Sequence, residues 1–202
     1  SDFASTTRGA TGVGSTAMGL GTTASAFYST AMGYGTTASG NVSTAMGTNT
    51  TAIGDYSTAM GGGTTASGYG STAMGSGTEA SGNSSTAMGE STTASDFGST
   101  VIGQYNSSGS TVTNSATVFN AANTAFVIGN GTGTGEDASD AFKVMFNGDT
   151  YVSSSLYLGG TEITSTAAEL NLLSGATSLG TGILSPVTEN LNTGVRLSTA
   201  VA

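Results

Sequence analysis

A five-residue string, Ser-Thr-Ala-Met-Gly, begins at Ser15, Ser29, Ser43, Ser57, Ser71 and Ser85, and a variant, Ser-Thr-Val-Ile-Gly, begins at Ser99. The interval is 14 residues each time, with no insertion. Between successive copies stands a second string, Thr-Thr-Ala-Ser, at 22–25, 36–39, 64–67 and 92–95; Glu79 enters the copy at 78–81, and 50–54 is a variant. Residues 1–14 keep the phase through Ala10 and Gly14. A phase held this long marks an architecture in which each unit stacks on the next.

The period defines the unit. Fourteen residues accommodate two strands of about five residues and two turns of about two. The first full coil reads as a strand over 15–19, a turn at Leu20-Gly21, a strand over 22–26 and a turn at Phe27-Tyr28. Neither half is long enough for a strand–helix–strand unit, and recurrent Gly disfavours helix. A flattened parallel β-roll is expected, climbing about 4.8 Å per coil. Alternation places Thr16 and Met18 on one face and Ser15, Ala17 and Gly19 on the other. The methionine ladder, Met18, Met32, Met46, Met60, Met74 and Met88 with Ile102 last, is expected to fill the core, since Met is a flexible gap filler. So thin a roll gains only about 2–3 kcal/mol per coil from burial. Ordering 14 residues costs far more in chain entropy. The second face must therefore be covered too, and another copy of the chain is the simplest cover.

Composition excludes several classes. Gly is 33 of 202 residues and only 7% are charged, yet the regular apolar spacing argues against disorder. Cys and His are absent, which removes disulfides, thiolate metal sites and the commonest general base. The net charge is −9, with Arg8, Lys143 and Arg196 as the only cations. Nucleic acid and anionic membranes are therefore not expected partners. No apolar run reaches the about 18 residues of a membrane span, so no membrane insertion is expected in this segment. Ser1-Asp2-Phe3 does not open a signal peptide, and the chain is expected to be a processed form or an excised fragment.

The two strings at this period closely resemble the head repeats of the trimeric autotransporter adhesins, the YadA-like family, over about residues 1–106. Met stands where that family usually has Ile. The resemblance implies a left-handed parallel β-roll, a homotrimer, a cell-surface location and adhesion. The second half is similar to segments of phage and bacterial tail fibres. The strings that carry this are Phe126-Val127-Ile128-Gly129-Asn130-Gly131, the run 140–149, and the run 164–175 with Thr-Ala-Ala-Glu-Leu-Asn-Leu-Leu, in which Ser174 replaces the usual Asp. These again imply trimers.

Residues 107–135 read as a transition or neck, 136–163 as a β-hairpin fibre module and 164–202 as a short capped helix with a C-terminal segment. Asn147-Gly148 is a hairpin turn signal, with a return strand expected over 150–158. Thr166 and Glu169 form a capping box, and Leu170 and Leu173 would make a small apolar seam on the helix. No cofactor is expected. Glu136, Asp137, Asp140 and Asp149 are candidate oxygen ligands for a structural cation, at a spacing that fits no known calcium loop. The repeat acids Asp55, Glu79, Glu90 and Asp96 read as solvated charge near turns. Phe27, Tyr28, Tyr34, Tyr56, Tyr69 and Phe97 fall in the variable turns and could contact a glycan or protein receptor.

The expected fold is all-β: a left-handed parallel β-roll of 14-residue coils, then a β-rich fibre module with one short helix, in an intertwined homotrimer. The expected role is a structural or adhesive segment of an extracellular fibre, and not an enzyme. A virion tail-fibre shaft carrying a receptor-binding tip is one alternative. An ice-binding solenoid, prompted by ladders such as Thr22-Thr23, is another.

Overall fold

In a computed structural model, which describes residues 9–164, each 14-residue repeat contributes one long strand and one short one. The long strands are Thr16–Leu20, Thr30–Tyr34, Thr44–Thr48, Thr58–Gly62, Thr72–Ser76, Thr86–Glu90 and Thr100–Gln104. They pair in parallel with like residues in register, as Met60 with Met74 and Met74 with Met88. The short strands run from Gly9–Ala10 to Thr93–Ala94 and form a separate seven-stranded sheet. The short strand is two residues rather than the expected five. Its ladder stops because two successive N–H groups, Ser39 and Gly40, share the single carbonyl of Ala52 at 2.9 and 3.3 Å.

The interior between the two sheets is made of alanine. Ala31, Ala45, Ala59, Ala73 and Ala87 from the long strands meet Ala24, Ala38, Ala52, Ala66, Ala80 and Ala94 from the short ones, all fully buried, with Val101 and Val127 closing the row. Ser and Thr hydroxyls fill the remaining space, and nine of them, among them Thr64 Oγ1 and Ser57 Oγ, are buried without a hydrogen-bond partner. The methionine ladder is therefore not the core of the roll. Met32, Met46, Met60, Met74, Met88 and Ile102 are half-buried on the opposite face of the long strands, and Met18 is exposed. The reason is space, because the gap between the sheets admits only methyl groups and hydroxyls.

A column of glycines allows consecutive coils to stack within the long sheet. Gly19, Gly33, Gly47, Gly61, Gly75, Gly89 and Gly103 all have φ between +98° and +124°, where L side chains are strained. A Cβ added to Gly61 would lie 2.0 Å from the carbonyl oxygen of Gly75 in the next coil.

The roll ends in a polar cap. Asn106 occupies the place of the Thr that immediately precedes each short strand. Its Oδ1 accepts from the Thr93 N–H at 2.8 Å, and its Nδ2 donates to the Thr93 carbonyl at 3.0 Å. One side-chain amide thus satisfies the edge that another coil would have paired. Asp96, fully buried, accepts from the N–H groups of Thr113 and Thr124, both at 2.7 Å. Asn123, also fully buried, accepts from Asn114 and Ser115 N–H and donates to the Ser115 carbonyl. Asp96 is therefore not the solvated charge expected of it; it ties the 107–123 connection to the end of the roll.

Beyond the cap the long sheet resumes. Thr124–Asn130 pairs in parallel with Thr100–Gln104. Asp140–Met145 then pairs antiparallel with it, and Thr150–Val152 pairs antiparallel with Asp140–Met145 across a turn at Asn147-Gly148. The return strand is shorter than the expected 150–158. A 3₁₀ turn, Gly135–Asp137, is the one helical element among the described residues. All of this belongs to the unit Ser1–Ser154. In the second unit, Ser155–Ala202, the strands Tyr157–Leu158 and Thr161–Glu162 form a small antiparallel hairpin. The expected helix with Leu170 and Leu173 lies outside the described residues.

Gly61→Ala should lower stability by several kcal/mol, because strain and a backbone clash coincide, whereas Gly70→Ala, with φ +61° and open space, should cost about 1 kcal/mol. Thermal melts followed by circular dichroism measure the difference, and equal effects would contradict this account of the column. Asn106→Leu should cost about 2 kcal/mol by leaving both Thr93 groups unpaired, read from a denaturant midpoint.

Candidate functional site

Two surfaces of the roll carry the residues singled out above. The first is the outward face of the long sheet. Each coil places one Thr and one Met there, from Thr16 and Met18 to Thr86 and Met88, and Thr100 and Ile102 complete the series in register. The columns run without interruption and without charge. Directly paired residues lie on the same side of a sheet, so each column is continuous.

The second surface is the pair of turns joining long and short strands. Every coil needs two left-handed residues there. The turn leading into each short strand uses Gly21, Gly35, Asn49, Gly63, Gly77, Ser91 and Tyr105; the turn leading into each long strand uses Gly14, Tyr28, Val42, Tyr56, Gly70, Ser84 and Gly98. Glycine fits such a position at no steric cost, whereas a side chain costs about 1–2 kcal/mol. Tyr28, Val42 and Tyr56 nevertheless stand there at φ +54°, +58° and +60°. Bonds between coils hold the geometry. The Tyr28 N–H donates to the Val13 carbonyl at 2.9 Å, and the Tyr56 N–H donates to the Asn41 carbonyl at 2.8 Å.

Of the six turn aromatics, Phe27, Tyr28, Tyr56, Tyr69 and Phe97 lie along the turn that leads into the long strands, while Tyr34 ends a long strand at the opposite turn. Phe27, Tyr28, Tyr34, Tyr56 and Tyr69 are each more than half exposed, and Phe97 is half-buried. Tyr56 and Tyr69 meet edge to face with ring centroids 5.3 Å apart. Val13 and Val42 extend the same apolar ridge. Polar side chains lace the coils beneath it. Asp55 Oδ1 accepts from the Asn41 N–H at 2.8 Å, and Asn83 Oδ1 accepts from the Tyr69 N–H at 3.0 Å.

The acids considered for a cation are engaged elsewhere or apart. Asp140 accepts from Ser107 N, Ser107 Oγ and Ser108 N at 2.8–2.9 Å. Asp149 accepts from the Asn147 amide at 2.8 Å. Glu136 and Asp137 sit exposed in the 3₁₀ turn. Among the described residues, no group of three or more such side chains converges.

Sequence reasoning missed Asp96, Asn106, Asn123 and Asp140 as the residues that terminate the roll. A signal was present in two of them. Asp96 stands where Gly40, Gly54, Gly68 and Gly82 stand in other coils, and Asn106 stands where every coil from Thr22 to Thr92 has Thr.

The family model of the YadA head domain repeat (two copies) matches residues 10–31, 24–50, 52–78 and 80–106. No curated protein matches the chain, and no solved structure does. The matched stretches end at Asn106, the residue whose amide closes the last short strand. Period, solenoid and family model thus agree on the same residues, and the chain from 10 to 106 is a run of YadA head domain repeats.

Proposed function

We propose that this chain is a structural and adhesive segment of a homotrimeric extracellular fibre, in which the methionine face of the long sheet is the seam between copies and the aromatic ridge is free to contact a target surface. The observation that carries the reading is the outward Met and Thr face borne by YadA head domain repeats. Proteins of that family form trimers and act at cell surfaces. The interior supports the same reading, because an alanine core with unpaired hydroxyls gives a single roll little burial free energy. Three copies that turn their methionines to a common axis would bury the largest apolar side chains of each coil. The ridge then lies on the turns, away from the centre of that face. Its rings are exposed on a rigid scaffold at low conformational cost, which suits recognition of a receptor glycan or protein. The charge of −9, with no cation on the ridge, favours a neutral or basic target surface.

Sedimentation or light scattering at micromolar concentration should give the mass of three chains, and Met46→Glu with Met60→Glu should reduce it to one. A wild-type chain that runs as a monomer would sink the seam. Tyr56→Ser with Tyr69→Ser should leave the mass unchanged and weaken binding to a panel of glycans and cell surfaces by roughly tenfold or more. Unaltered binding across a panel to which the wild type adheres would remove the ridge from the reading.

A further inference from the structure

The sheet that carries the methionine face does not stop where the repeats stop. Ile102 pairs with Ile128, Ile128 with Phe142, and Phe142 with Val152. In the neighbouring column Thr100 pairs with Phe126, Phe126 with Val144, and Val144 with Thr150. Paired residues share a face, so both columns of the repeat run on through three more strands. The Thr column becomes apolar through Phe126 and Val144 before it ends at Thr150, and the Met column continues as Ile128, Phe142 and Val152. Phe126 and Phe142 meet edge to face with centroids 6.3 Å apart.

The other face of these strands is different. Val127 is sealed in the end of the roll. Its partner Lys143 holds its Nζ 4.4 Å from the Tyr151 ring centroid. Lys143 and Tyr151 share a concavity with Asp140, Ser107 and Ser108. Charge is thus gathered on one side, and the paired columns on the other carry none.

We infer that copies of this chain meet along this face beyond the repeats as well, so that Phe126, Ile128, Phe142, Val144 and Val152 form a second length of interchain seam. The occupant is another copy of the same chain. A stripe of rows about 4.8 Å apart is matched row for row by itself, and its continuity with the methionine columns gives it the same partner. The inference rests on the trimer reading above and extends it into residues that the family model does not match.

The chain has no cysteine, which allows thiol trapping without background. Met60→Cys, Val144→Cys and Val152→Cys are oxidised separately in the full chain, with Glu79→Cys on the exposed side of the short sheet as control. Three related thiols yield one disulfide, so covalent dimers are the product. Val144→Cys and Val152→Cys should cross-link to the same fraction as Met60→Cys, independently of dilution, while Glu79→Cys should not. Cross-linking at Met60 without any at positions 144 and 152, in variants that keep wild-type circular dichroism, overturns the inference and leaves the trimer reading standing. Failure at all three positions overturns both. Cross-linking at 144 and 152 alone overturns the continuous seam.

Discussion

The distance between consecutive coils governs this structure. At each glycine of the column from Gly19 to Gly103 the backbone passes so close to the next coil that a Cβ would strike a carbonyl, at 2.0 Å in the case of Gly61. Such close stacking aligns each residue with its equivalent one repeat away, which is why thirteen small apolar residues, eleven of them alanines, can form one continuous core. The gap between the two sheets then has no room for a larger side chain. Met, Leu, Tyr and Phe must all face outward, so the thinness of the roll places its largest apolar groups on surfaces available for contact. What makes a single roll weak also supplies the means of association.

Parallel stacking creates a second problem, since the last coil leaves an edge that could pair with another chain. The protein closes that edge with side chains. Asn106 presents a carbonyl and an N–H in the places of a missing backbone, and Asp96 and Asn123 gather the N–H groups of the following connection. Only the short sheet is closed in this way. The long sheet continues through Thr124–Asn130 and reverses into the antiparallel pair, so the polar cap ends the coil without ending the face. The 26-residue interval from Ile102 to Ile128, against 14 within the repeats, is the length of chain used to build the cap.

The repeat, its strands and its register were legible because fourteen residues admit few other arrangements. Which face lay inside was not. Alternation sorts Ser15, Ala17 and Gly19 from Thr16 and Met18 but says nothing of the gap each side meets. Hydrophobicity alone favours burying Met, and the expectation followed it. The deciding quantity is the gap between the two sheets, which shows only in the folded chain, where alanine fills it. Asp96 shows a similar limit. Its departure from glycine was visible, but its partners Thr113 and Thr124 lie 17 and 28 residues further on, and only the folded chain brings them together. Asp140, 33 residues from Ser107, gave no sign of its role at all.

A solenoid also separates what must repeat from what is free to differ, and the separation can be read within one chain. The positions of Ser-Thr-Ala-Met-Gly stay constant over six coils because each touches its own copy above and below. The turn positions are held by backbone bonds between coils that any residue with an N–H can make, and they change from coil to coil. The left-handed position before each long strand is Gly at 14, 70 and 98 and Ser at 84, but Tyr at 28 and 56 and Val at 42. Glycine shows that the backbone is satisfied without a side chain there. The three larger residues each add about 1–2 kcal/mol of strain, and they expose apolar surface besides. Both costs fall on the side of the roll that includes Phe27 and Tyr69. Tyr56 recovers part of its cost in the ring contact with Tyr69, and the Tyr28 ring lies against Gly14 of the coil before; the area that stays exposed on these rings and on Val42 is what the ridge presents.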